Sequence, residues 1–202
     1  MKNVDDFIAS GILEMYVLGQ ATAEEHAEVE QMAALFPAVT VEIIEIEKAL
    51  QRYASLHSKE PSATMKPNIM AGIDYTIRLQ NGEQLSNPPM LNDNSVPEDF
   101  LEWTSREDMV PGEYDDIFVK LISANEERMI GIVWIKEMAP EEVHKDEYES
   151  FLILEGTCDI AVGESVFPMK PGDFLTIPLH VAHHITVTSH FPCKVILQRL
   201  AA

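Results

Sequence analysis

The sequence is poor in positive charge. Only 14 of its 202 residues are Lys or Arg, against 34 Asp or Glu, and the formal net charge is −20. The few basic residues are scattered and form no patch. A chain this acidic repels a phosphate backbone, so direct nucleic-acid binding is not expected, while a basic protein surface suits the charge. Solubility alone is the plainer use of the same charge. Cysteine is scarce as well: Cys158 and Cys193 make neither a disulfide framework nor the clustered thiolates of a zinc finger. In a folded barrel the two could be neighbours, which leaves a redox role open beside the ordinary one of buried, inert thiols. No apolar run approaches the roughly 20 residues that cross a bilayer. The opening MKNVDDF is acidic and lacks the shape of a signal peptide. Internal repeats and low-complexity tracts are absent too. The expectation is a cytoplasmic chain with no membrane segment.

The remaining composition is that of an ordinary globular protein, with 46% hydrophobic and 24% charged residues. The length suffices for two small domains, each burying a core. The first part reads as helical. Val4, Phe7, Ile8, Ile12, Met15 and Tyr16 fall on one face of a helix that Gly19 closes. Thr22-Ala-Glu-Glu25 is a capping box opening a second helix, which carries Val29, Met32, Ala33 and Phe36 and stops at Pro37. A third helix runs from about Val39 to His57, with Val39, Ile43, Ile46, Leu50 and Tyr53 forming a seam. SKEPSATMKP (58–67) reads as a connector, and Ile69, Ile73 and Ile77 mark a fourth short helix. Further on, Asn87-Pro88-Pro89 and 92–95 are loop chemistry, and Pro97 to Arg106 reads as a short helix covering one end of a barrel. Ile117–Ile122, Met129–Ile135 and Lys194–Leu200 read as strands.

The chemistry concentrates between Glu142 and His184, in EEVHKDEYESFLILEG and PGDFLTIPLHVAHH. Ser150–Leu154, Cys158–Val162 and Phe174–Ile177 are strand-like runs bounded by Gly156, Gly163, Pro171-Gly172-Asp173 and Pro178. Strand alternation puts Glu142 and His144 on one face. His144 and Glu149 differ in parity, so a bulge or turn within 145–148 must intervene if both point inward. His183 would approach from another strand. Imidazole with carboxylate suits zinc, iron, manganese or nickel, and geometry and supply choose among them.

At these residues the chain resembles the cupins, whose signature motifs are G-x5-H-x-H-x3-4-E-x6-G and G-x5-P-x-G-x2-H-x3-N. The resemblance implies a double-stranded β-helix, or jelly-roll barrel, with a divalent metal at its centre. Carried over, the ligands are His144, Glu149 and His183. Glu142 stands where the first His should be, His180 replaces the motif Gly, and Val187 replaces the closing Asn. Glu142 would be a fourth ligand, or the site would be three-coordinate or empty, with the same side chains lining a ligand pocket. His180 and His184 are placed at the rim. Zinc is the first metal expected, with iron, manganese and nickel open.

The segment SGILEMYVLGQATAEEHAEVEQMAALFPAV is similar to the anti-sigma domain of bacterial regulators of extracytoplasmic-function sigma factors. Many of those carry zinc through H-x3-C-x2-C. Here His26 is followed by Glu30 and Ala33, so this domain resembles the zinc-free members. A helical anti-sigma domain followed by a cupin is the arrangement of the ChrR-like anti-sigma factors. The expectation is therefore an α+β chain with a helical domain over 1–60, a linker with a fourth helix over 61–90, and a cupin over 91–202. Its implied work is to bind a sigma factor, with the cupin sensing a metal or a small molecule in its barrel. A metal-dependent cupin isomerase or dioxygenase whose helices serve dimerisation is the second reading, and an oligomeric ligand-binding protein a third. A homodimer through barrel strands or the helical seam is open by analogy alone.

Overall fold

Gly11, at φ +83°, breaks the first expected helix into two, α1 (Val4–Ile8) and α2 (Ile12–Val17). The apolar stripe continues across the break, so periodicity alone did not reveal it. Gly19, at φ +68°, closes α2 as expected, and the Gln20 N–H donates back to the Met15 carbonyl at 2.8 Å. Thr22 and Glu25 form the capping box: the Thr22 N–H reaches Glu25 Oε2 at 2.8 Å, and the Glu25 N–H reaches Thr22 Oγ1 at 3.3 Å. That box opens α3 (Ala23–Leu35), and Pro37 then starts α4 (Pro37–Leu56) at the position where its missing N–H does no harm. This computed structural model describes residues 3–202, and the four helices belong to the first of two units, Met1–Glu60 and Pro61–Ala202.

The first unit has a small core. Phe7, Leu13, Val29 and Val39 are buried, with Ile8, Tyr16, Met32, Ile43 and Ile46 partly buried around them. The α4 seam is therefore used only along its first half. Leu50, Tyr53 and Leu56 continue it into solvent, and Leu56 is 82% exposed.

The second unit begins with α5 (Met65–Gln80), longer than the short helix expected. Its buried residues are Ala71 and Tyr75, which join the core of the following sheets, whereas Ile69, Ile73 and Ile77 are exposed. The helix packs against β1 (Ile117–Ala124). Ion pairs fasten it there: Asp74 holds both Arg78 and Lys120 at 2.9 Å, and Arg78 also holds Glu83 at 2.7 Å. Residues 65–80 are thus part of the barrel unit rather than of a linker.

The remaining strands are β2 (Arg128–Ile135), β3 (Met138–Glu142), β4 (Glu147–Glu155), β5 (Cys158–Val162), β6 (Ser165–Met169), β7 (Phe174–Ile177), β8 (His183–Val187) and β9 (Cys193–Ala201). They form a five-stranded sheet in the order β1-β2-β9-β4-β7 and a four-stranded sheet in the order β3-β8-β5-β6, antiparallel throughout. The two sheets enclose one core, to which Val119, Val133, Phe151, Ile153, Ile160 and Val195 contribute. Side chains of the opposite parity, among them Ile130, Ile132, Leu152 and Ile196, make a second core with Leu91, Phe100 and Trp103. The short helix α6 (Leu101–Thr104) and the turn before it therefore cover the outer face of the five-stranded sheet, not a barrel end as expected. Burial on both faces explains why β2 reads as a continuous apolar run. No helix among the described residues is long and apolar enough to cross a membrane.

Candidate metal centre

Three elements bring the polar cluster together. β3 ends at Glu142, which pairs with His183 of β8 across a register shift. His144 lies in the bend between β3 and β4, held by the His180 N–H donating to its carbonyl at 2.8 Å. This bend supplies the change of parity that lets His144 and Glu149 point the same way. Glu149 sits on β4, paired on one side with β7 and on the other with Arg199 of β9.

Glu149 is the centre of the arrangement and is only 2% exposed. Its Oε2 lies 2.8 Å from His183 Nε2 and 3.2 Å from His144 Nε2. Its Oε1 accepts from Arg199 Nε at 2.9 Å. Burial pushes the Glu149 carboxyl up, but the two imidazoles and the Arg199 charge outweigh it and hold the group well below the usual carboxylate range. The hydrogen bond to Glu149 raises His144 above the ordinary imidazole value, against the opposing pull of burial. His183 is itself buried, and its Nδ1 has no hydrogen-bond partner, so the ring acts through Nε2 alone.

His144, Glu149 and His183 each offer one ligand atom, all within 4.8 Å of one another. Glu142 adjoins this trio, with Oε2 3.6 Å from His144 Nε2, but both of its oxygens are engaged elsewhere. One accepts from Arg199 Nη2 at 3.1 Å and the other from the Thr64 hydroxyl. Of the four residues expected at the site, three converge as a ligand set. Glu142 stands behind them as a carboxylate that orients Arg199.

The donor set fits a divalent transition ion. Two imidazoles and a carboxylate oxygen, with the other carboxylate oxygen fixed by an outer partner, is the usual make-up of such a site. The charges agree: Glu142, Glu147 and Glu149 surround Arg199, leaving two uncompensated negative charges when the imidazoles are neutral. Only Glu149 of the three is buried, and an ion beside its Oε2 would offset part of that excess. When bound, the ion would supply Lewis acidity and a coordination position that these three side chains leave open.

Beside the trio lies a cavity of about 50 Å³, walled by aliphatic side chains such as Val119, Val133 and Leu197 and bordered by Thr64 and Asn68. That is room for a few waters or a small ion beside the ligand atoms.

The motif departures have plain structural readings. His180 adopts φ +62°, the left-handed conformation that favours glycine, which is the residue the motif carries there. His184 borders the cavity without joining the ligand set. Val187 packs on the barrel core. His26 in the first unit is exposed, its ring tilted 44° against that of Tyr16 and 3.6 Å from Glu30. Cys158 and Cys193 are both buried and touch each other, and the contact with Cys193, together with burial, pushes the Cys158 thiol up.

Sequence reasoning missed Arg199 and Thr64. Arg199 shares parity with Val195 and Leu197 on β9, both facing the core, so strand alternation would have placed it inward. Nothing local in 58–67 marks Thr64.

Residues 130–198 match the family model described as Cupin domain. This stretch is a cupin domain. Similar solved structures include the cupin domain of Cnp3 from Schizosaccharomyces pombe, 17% identical over 46% of this chain and 69% of that one, with a TM-score of 0.43. A cupin-2 domain protein of Shewanella frigidimarina is 18% identical over 48% of this chain and 90% of that one, with a TM-score of 0.41. A predicted oxalate decarboxylase of Thermotoga maritima is 16% identical over 43% of this chain and 81% of that one, also with a TM-score of 0.41. No curated protein matches the chain.

Proposed function

We propose that this chain is a cytoplasmic anti-sigma factor of the ChrR-like kind. Its helical unit binds an extracytoplasmic-function sigma factor, and its cupin domain senses a divalent metal, zinc first. The observation that carries the reading is the outward apolar surface of the helical unit. Leu18, Leu35, Val41, Ile44, Tyr53 and Leu56 are exposed there, and a protein partner could cover them. A metal-binding cupin does not require such a unit, and a protein partner does. The acidic balance of the chain suits a basic partner. For metal to act as the signal, it must bind the free and the sigma-bound forms with different affinity.

Co-expression of the full chain with each extracytoplasmic-function sigma factor of the same organism tests this. A stoichiometric complex with one of them is expected, and its stability should change when the metal is removed by a chelator. Failure with every such sigma factor contradicts the proposal.

One observation favours a second reading. A three-ligand cluster beside a small void is also what a metal-dependent enzyme acting on a small molecule would need. Turnover by the zinc-, iron- or manganese-loaded protein, with no sigma factor bound, would support it.

A further inference from the structure

Arg199 does more in the cluster than neutralise charge. Its guanidinium fork reaches three carboxylates from one place: Nε to Glu149 Oε1 at 2.9 Å, Nη2 to Glu142 Oε2 at 3.1 Å and Nη1 to Glu147 Oε1 at 3.4 Å. Because Oε1 of Glu149 is taken, only Oε2 faces the two imidazole Nε2 atoms. A freely rotating carboxylate would present both oxygens. The fork therefore fixes a single-oxygen donor, a task that a point-charge ammonium cannot perform with the same geometry.

The contacts continue outward. Glu142 gives its second oxygen to the Thr64 hydroxyl, and Thr64 Oγ1 also meets Ser62 Oγ at 2.8 Å. Thr64 immediately precedes α5, in the stretch that follows the end of the first unit at Glu60. An unbroken line of polar contacts thus runs from the ligand carboxylate to the chain segment entering the barrel unit.

We infer that Arg199 is a positioning residue that holds Glu149 as a one-oxygen ligand, and that Glu142 and Thr64 carry the state of the site to residues 61–68. The inference rests on the metal reading given above and adds the route by which occupancy is communicated. Glu149 Oε2 would hold the ion, and any shift of that carboxylate on binding would pass through Arg199 and Glu142 to the Thr64 hydroxyl. Coupling of this kind needs differential contacts in the two states, and the Thr64–Glu142 bond is the contact that would differ.

The full-length protein is the material for the test, with zinc as the probe and cobalt(II) as the spectroscopic reporter. Wild type should bind zinc, and amide hydrogen exchange at 61–68 should slow when it does. Arg199→Lys keeps the charge and loses the fork. It should bind zinc at least about tenfold more weakly and alter the visible cobalt(II) spectrum, because Glu149 is then free to bind through both oxygens. Thr64→Val should retain the wild-type cobalt(II) spectrum while losing the zinc-dependent slowing at 61–68. Should Arg199→Lys fail to fold, Glu142→Ala removes both contacts of the same line, and it too should lose the slowing. An Arg199→Lys protein with wild-type zinc affinity and cobalt(II) spectrum overturns the positioning role. Zinc binding by wild type without any change at 61–68 overturns the relay while leaving the site intact. Wild type that binds no zinc or cobalt overturns the site, and the inference with it.

Discussion

In the barrel, β2 buries both of its faces, one against the four-stranded sheet and the other under Leu91, Phe100 and Trp103. In the helical unit, Phe7, Leu13, Val29 and Val39 are the only buried apolar side chains among the described residues, and the second half of α4 points its apolar seam into solvent. The barrel buries its apolar side chains in two cores, one of them between the sheets that carry Glu149 and His183. The helical unit leaves much of its own apolar surface exposed. The same contrast shows in polar groups. In the barrel His144, His183 and Arg199 converge on Glu149, whereas Glu25, His26 and Glu45 of the helical unit serve caps and surface pairs.

Matched core truncations probe this difference most strongly. Leu13→Ala and Ile196→Ala each remove a fully buried side chain, at about 2–5 kcal/mol apiece. The small core around Leu13 cannot absorb that loss, so amide exchange across residues 4–56 should become unprotected while the barrel strands stay protected. Ile196→Ala should lower the barrel's urea midpoint without unfolding it. If both variants melt the whole chain together, the two units are not independent. Glycine provides a finer pair. Gly156 and Gly19 both have positive φ, but a Cβ on Gly156 would lie 2.8 Å from Ser189 Oγ and 3.0 Å from Cys193 Cα, whereas one on Gly19 meets open space. Gly156→Ala should therefore cost about 3 kcal/mol or more and Gly19→Ala about 1 kcal/mol, read from denaturation midpoints.

Legibility in the sequence followed the same division. β5 and β7 were found at their true bounds because glycine and proline mark their ends. β3 and β6 were missed: they are the two edges of the four-stranded sheet, contain Pro140 and Pro168, and lack the apolar alternation of a central strand. His144, Glu149 and His183 were legible because a motif fixes their spacing. The contacts of Glu142 with Thr64 and Arg199 were not legible, because those partners are remote in sequence. Ile69, Ile73 and Ile77 mark α5 but not its buried face: Ala71 and Tyr75 join the barrel core, and Asp74 pairs with Lys120 of β1.

Smaller effects sharpen the contrast further. Thr22→Ala removes the capping box and should cost the helical unit about 1 kcal/mol, visible as faster exchange in the first turn of α3. Leu56→Ser should change stability by less than about 0.5 kcal/mol, since the side chain is exposed, yet weaken the proposed sigma-factor complex. In the metal-free barrel, His144 has its pKa raised above 6.5 by Glu149. Its contribution to stability is present in full below the unfolded value and fades as pH rises through the folded one. Zinc requires the neutral ring, so added zinc should stabilise the barrel more at the alkaline end of that window than at the acid end. Thermal midpoints with zinc and with chelator, taken across neutral pH, read both slopes. Glu149, with its pKa held low, should stay ionised throughout.

The central claim is that the barrel gathers two imidazoles and a carboxylate around one ion, and elemental analysis of the purified full chain tests it most directly. Wild type should carry one equivalent of a divalent transition metal, and the His144→Ala/His183→Ala variant should carry none while its strands remain protected from exchange. Equal metal content in the two proteins, or none in either after growth with zinc, iron and manganese supplied, would contradict it.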